Sequence, residues 1–140
     1  MDLGLSGKTA FISGSTKGIG YAIAKVLAKE GTTVIINGRS QDTVGVALEQ
    51  IKKDAPAAVL YGIAADVSTA EGCDIVFKSG HNIDILINNV GIFDTQAFSD
   101  VSDENWQKFF DVNVMSGVRL TRGVLPGMQV RNWGRILFIS

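Results

Sequence analysis

The sequence predicts an α/β fold: one parallel sheet of five strands, covered by helices on both faces. Three observations carry this. Short β-rich apolar runs alternate along the chain with segments of helical periodicity. The second run, Thr33-Val34-Ile35-Ile36, is continuously apolar, as strands buried on both faces are. A glycine-rich stretch, Ser13-Gly14-Ser15-Thr16-Lys17-Gly18-Ile19-Gly20, joins the first run to the first helix.

The first strand is Thr9-Ala10-Phe11-Ile12. The helix after the glycines places Ile19, Ile23, Val26 and Leu27 on one face, which is expected to meet the sheet. Gly31 is placed to end that helix in a left-handed conformation. After Thr33–Ile36, a second helix carries Val44, Ala47, Leu48 and Ile51 at helical spacing, with Ser40 or Asp42 as its cap. Pro56 helps close this unit. The third strand is Ala58–Ile63, followed by a short helix over residues 69–79 that Gly72 weakens. The fourth strand, Ile83–Ile87, runs into the polar stop Asn88-Asn89-Val90-Gly91. Residues 102–131 read as helix in two pieces, capped by Ser102, stapled by Val101 and Trp106, and kinked or interrupted at Pro126. The fifth strand is Arg135–Ile139.

Composition narrows the function. At 140 residues, with 46 % hydrophobic and 19 % charged residues, the chain reads as a single globular domain over 1–140. No uninterrupted apolar run of membrane-spanning length exists. The N-terminus lacks a signal-peptide pattern, and the lone Cys73 pairs with nothing internally, so a cytoplasmic location is expected. The net charge of −1, without a basic block, argues against a general nucleic-acid binder.

The glycine stretch suits a phosphate. Glycine permits a tight turn and close backbone approach, and a helix N-terminus offers free N–H groups and positive potential. Its spacing is G-x-x-x-G-x-G, and alone it is equally a tight turn. In parallel sheets ligands bind beyond the C-terminal ends of the strands, and both the glycine turn and Asn88–Gly91 follow strands.

Taken in order, the motifs resemble those of the short-chain dehydrogenase/reductase family. Ser13–Gly20 is similar to T-G-x-x-x-G-[IL]-G, Asp66-Val67 to the D-[VL] pair, and Asn88-Asn89-Val90-Gly91 to N-N-A-G. Asn113 matches the Asn of the catalytic helix, and Gly134–Ser140 the strand leading to the catalytic Ser. The resemblance covers essentially the whole chain. It implies a Rossmann-type sheet in the order 3-2-1-4-5 and hydride transfer between a nicotinamide and a carbonyl or alcohol substrate. It also implies a homo-oligomer.

The resemblance assigns roles residue by residue. Gly14, Ser15, Thr16, Lys17, Gly18, Ile19 and Gly20 form the pyrophosphate turn. Asn89, Val90 and Gly91 line the ribose side, with Asn88 tying strands together. Asp66 accepts from the adenine amino group and Val67 donates to its ring. Asn113 is the one implied catalytic residue, keeping a helix distortion and an ordered water. The plainer alternatives are a helix-terminal acid for Asp66 and an ordinary helix-start residue for Asn113. NADP rather than NAD is expected, because the end of the second strand reads Asn37-Gly38-Arg39-Ser40 without a carboxylate. Arg39, helped by Lys17, can pair with a 2′-phosphate; otherwise both are solvated surface cations.

The sequence departs from the family at Ser13 (usually Thr), at Val90 (usually Ala) and, most seriously, after Ser140. The family's catalytic Ser aligns one residue further on, and its Tyr-x-x-x-Lys motif lies beyond that. The one Tyr-x-x-x-Lys spacing present, Tyr21 to Lys25, falls on the first helix and reads as a surface pair. The implied unit is therefore the N-terminal, cofactor-binding part of a subunit, with turnover by this chain alone not expected. A nucleotide-binding fragment without catalysis is the alternative, and a methyltransferase on a similar sheet a weaker one. Self-association is expected through the fifth strand or the long helix, where Val114, Val118, Leu125 and Met128 would lack cover.

Among other residues, Trp106, Phe109 and Phe110 read as a core stripe, while Phe93 and Phe98 border a pocket. His81 is expected in solvent and Cys73 packed. The acids Asp54, Glu71 and Asp74 show no metal-ligand pattern with His or Cys, so no metal is expected.

Overall fold

A computed structural model describes residues 1–140. The strands are β1 (Thr9–Ile12), β2 (Thr33–Gly38), β3 (Leu60–Ala64), β4 (Ile85–Asn88) and β5 (Arg135–Phe138). All pair in parallel, in the order β3-β2-β1-β4-β5. Helices α1 (Gly18–Lys29), α2 (Gln41–Asp54), α3 (Ala70–Lys78), α4 (Asp103–Phe110) and α5 (Ser116–Val130) connect them. A 3₁₀ turn, Phe98–Asp100, precedes α4, and a π-helical turn, Asp111–Met115, joins α4 to α5. This is the expected Rossmann-type fold.

Strand alternation splits the core into two layers. Ala10, Ile12, Val34, Ile36, Ile85 and Ile87 meet α1 and α2 through Ala24, Ala28, Val44, Ala47 and Ile51. Phe11, Ile35, Ile63 and Leu86 meet α3 and α5 through Cys73, Val76, Leu120, Val124 and Met128. Continuous apolar runs are required because neighbouring residues serve opposite faces.

The caps follow the sequence. Oγ of Ser40 accepts from the Thr43 amide at the start of α2, and Oγ of Ser102 accepts from Asn105 at the start of α4. Gly31 follows α1 with φ of 78°. Gly72 proves to be a requirement, not a weakness: a Cβ there would lie 1.8 Å from the Asp66 carbonyl oxygen.

Several expectations are corrected. The buried stripe of α1 is Gly20, Ala24 and Ala28, with Ile19 and Val26 facing outward. Ile23 and Leu27, of the expected face, are half-buried and pack against the same core. β3 and β4 begin two residues later than expected. α5 runs through Pro126 without interruption. Proline removes the donor to the Arg122 carbonyl, which lies in an exposed part of the helix. Trp106 and Phe110 are about half exposed and form no core stripe. α4 continues directly into the π-helical turn and packs little against the sheet. Met128 is buried, whereas Val114 and Leu125 are exposed as expected. His81 is half-buried, its ring 4.5 Å from that of Tyr61.

Candidate functional site

Parallel pairing brings the residues that follow β1, β2, β3 and β4 to one edge of the sheet. These are the glycine turn, Arg39, Asp66-Val67 and Asn89–Gly91. The motifs scattered along the sequence therefore converge.

The turn is built on two left-handed glycines. Gly14 and Gly18 each have φ of 60°. A Cβ at Gly14 would stand 2.9 Å from Cγ2 of Val90. A Cβ at Gly20 would stand 2.6 Å from the Gly14 carbonyl oxygen and 2.5 Å from Nδ2 of Asn89. At Gly18 the space is open, so there the backbone angle alone favours glycine. Lys17 precedes α1 without capping it by its side chain. The first helical backbone bond is donated by Tyr21 to Lys17, which leaves the amides of Gly18, Ile19 and Gly20 without an acceptor in the chain. Ile19 is largely exposed, so this helix end is open.

Two buried polar residues hold the turn. Asn37, at the end of β2, accepts from the Gly14 amide through Oδ1 at 3.1 Å. Its Nδ2 donates to the carbonyls of Ile63 and Ala65, and its amide donates to Oγ of Ser15. On the other side, Oγ of Ser13 accepts from the amides of Asn89 and Val90 at 2.9 and 3.0 Å. Asn89 returns its side-chain amide to the carbonyls of Ser13 and Gly14. The bracketing role of Asn37 was not read from the sequence. Its signal was a polar residue closing an apolar strand.

Asn88 does not tie strands through its side chain. Its Nδ2 reaches Oγ1 of Thr121 on α5, while its Oδ1 is buried without a partner. Asp66 is exposed, with Oδ1 accepting from both the amide and the hydroxyl of Ser68. Thr69, not Asp66, caps α3. The Val67 side chain is buried, and its amide has no acceptor in the chain. Arg39 and Lys17 are exposed, and neither joins an ion pair. Thr16 packs over the end of β2, where a Cβ on Gly38 would lie 2.5 Å from its methyl.

Asn113 lies within the π-helical turn. Its Oδ1 accepts from the Ile92 amide at 2.7 Å and its Nδ2 donates to the Ile92 carbonyl at 2.9 Å. The side chain thus holds the loop that follows Gly91. A small cavity of about 140 Å³ lies further along this loop, lined by Asp94, Val101, Trp106 and Phe109 among others. Phe98 stacks edge-on against Trp106 nearby, whereas Phe93 stands free in solvent.

The remaining candidates lie elsewhere. Tyr21 is packed at the edge of the α1–α2 core, and Lys25 pairs with Asp54 of α2. That contact raises the Lys25 pKa and lowers that of Asp54. Burial pushes the Cys73 thiol up to about 11. No three His, Cys, Asp or Glu side chains gather as metal ligands.

Comparison with known proteins agrees with this geometry. A family model for short chain dehydrogenase matches residues 8–140. The uncharacterized oxidoreductase YvaG of Bacillus subtilis is 49 % identical over 140 residues, covering 100 % of this chain and 53 % of the relative. A D-beta-hydroxybutyrate dehydrogenase of Cupriavidus necator is 35 % identical over 97 % of this chain and 54 % of its own length. The crystal structure of L-sorbose reductase from Gluconobacter frateurii, complexed with NADPH and L-sorbose, superposes with a TM-score of 0.93 at 39 % identity. That match covers 99 % of this chain and 54 % of the reductase. The chain spans about half the length of the curated relatives it matches. On fold, motif geometry and sequence together, the chain belongs to the short-chain dehydrogenase/reductase family.

Proposed function

We propose that residues 1–140 form the nucleotide-binding domain of an NADP-dependent oxidoreductase acting on a carbonyl or alcohol substrate. The carrying observation is the end of β2. It presents Arg39 with no carboxylate beside it, where an NAD-selective site needs an acid for the ribose hydroxyls. Arg39 is free of ion pairs and offers a forked donor to a 2′-phosphate, with Lys17 adding charge.

The residues present fit such a cofactor. The open amides of Gly18, Ile19 and Gly20 suit a pyrophosphate, and the lack of a Cβ at Gly14 and Gly20 lets the turn pack against Val90 and Asn89. Ser15 and Thr16 shape the turn between them, Ser15 through its bond to Asn37. Asp66 is exposed with Oδ2 unbonded in the chain, and with the open Val67 amide it suits an adenine edge. Asn89, Val90 and Gly91 border the ribose and nicotinamide end. A bound nicotinamide supplies the hydride donor or acceptor. Around it, Asn113 fixes the loop at Ile92 and so the floor of the site.

Proton transfer to the substrate oxygen has no donor of the family type among these residues, since Tyr21 and Lys25 serve α1 and α2. Nucleotide binding without turnover is therefore the second reading for this chain. NADPH oxidation with a panel of carbonyl compounds separates the two: turnover by the pure chain would refute the second. We further expect homo-oligomers, as the family resemblance implies. A monomer by light scattering at micromolar concentration would contradict this.

A further inference from the structure

Arg119 lies on α5, shortly after the π-helical turn, and takes no part in the motifs above. Its Nη1 donates to the Ser68 carbonyl at 3.0 Å, joining residues 51 positions apart in a half-buried contact. Ser68 in turn donates its amide and its hydroxyl to one oxygen of Asp66, at 3.1 and 2.6 Å. The other Asp66 oxygen makes no bond within the chain, and the residue is exposed. Residues 66–69 are otherwise a short connection between β3 and α3. Their freedom is further limited by Gly72, which packs on the Asp66 carbonyl.

One helical stretch thus grips the sheet edge at two points. Asn113 in the π-helical turn holds the loop after β4 at Ile92. Arg119 holds the loop after β3 at Ser68. Because the π-helical turn adds a residue to the helix, it sets the rotation of α5 and with it the direction of Arg119.

We propose that Arg119 is a positioning residue for the adenine end of the cofactor site, orienting the Asp66 carboxylate through Ser68. The proposal rests on the reading of Asp66-Val67 as the adenine contact. Guanidinium is suited to the task, because a charged donor on a carbonyl holds more firmly than a neutral one.

The test uses the 140-residue chain and two probes, 2′,5′-ADP for the adenine half and reduced nicotinamide mononucleotide for the other half, with binding read by calorimetry. Arg119→Met is expected to weaken 2′,5′-ADP about tenfold and to change the mononucleotide less than about twofold, as loss of one charged hydrogen bond implies. Arg119→Lys, which keeps a charged donor, is expected to restore most of the loss. A merely structural role would lower both ligands together, in step with the melting temperature, and would overturn the proposal. If Arg119→Met does not fold, Arg119→Gln must give the same selective loss; an unchanged affinity for 2′,5′-ADP overturns the proposal. Asp66→Ala separates the two levels. If it weakens 2′,5′-ADP while Arg119→Met does not, only the positioning role fails. If it has no effect, or the unmodified chain binds no 2′,5′-ADP, the adenine reading itself fails and the proposal with it.

Discussion

Ser13 and Asn89 hold each other twice, the Asn89 amide donating to Oγ of Ser13 at 2.9 Å and Nδ2 of Asn89 donating to the Ser13 carbonyl at 3.1 Å. Asn89 donates both bonds, which join the glycine turn after β1 to the loop after β4. The hydroxyl also accepts from Val90 and so satisfies two amides at once. Ser13→Ala leaves both amides without that acceptor. We expect it to lower stability by about 1–3 kcal/mol, measured by urea denaturation, and to speed amide exchange at Asn89 and Val90. Unchanged exchange would show that the pair does not set the turn.

The glycines of the turn should respond differently to alanine. At Gly20 a Cβ would lie 2.5 Å from Nδ2 of Asn89, so Gly20→Ala must displace the Asn89 clamp. It is expected to cost about 1–3 kcal/mol from overpacking and to abolish nucleotide binding. At Gly18, where φ is 60° and the space is open, the cost is backbone strain of about 1–2 kcal/mol without a clash. Comparing the unfolding curves and NADPH titrations of the two variants checks this ordering.

Asn113 gives both of its amide groups to Ile92. Asn113→Ala removes an acceptor and a donor from an exposed loop, so the stability loss should be modest, about 1 kcal/mol. The local effect should be larger than the global one. Hydrogen exchange at the Ile92 amide is expected to accelerate while β4 amides stay protected.

Much of this fold was legible because parallel sheets demand continuous apolar runs. Within Thr33–Ile36, Val34 and Ile36 serve one core layer and Ile35 the other. Caps at Ser40 and Ser102 were legible because side-chain acceptors at helix starts act locally. The errors came where tertiary proximity overrides periodicity. Ile19 and Val26 turn outward while Ile23 and Leu27 pack on the core, and at Gly20 the close approach of the Gly14 carbonyl leaves no room for a Cβ. Gly72 looked like a weak point because its neighbour, the Asp66 carbonyl, is set by the turn and not by spacing. Arg119 and Asn37 reach across 51 and 28 positions to loop or strand carbonyls, and no local signal announces such bonds.

Cys73 makes a pH prediction. Burial is the main cause that raises its thiol from 9.0 to about 11 in the folded chain. Folding therefore favours the protonated thiol. The stability this carries is complete below pH 9.0 and is lost as pH rises toward about 11. Denaturant unfolding followed across that window should fall more steeply for the unmodified chain than for Cys73→Ala. Equal slopes would contradict the burial seen beside Val67 and Val76.

The edge beyond β1 and β2 is proposed to take a cofactor carrying a 2′-phosphate. Arg39→Ala should weaken NADPH about tenfold and leave NADH nearly unchanged, as loss of one charged phosphate contact predicts. The most direct measurement is a parallel fluorescence titration of the unmodified 140-residue chain with NADPH and NADH. The account predicts saturable binding with NADPH the tighter ligand. A preference for NADH, or no binding of either, would contradict it.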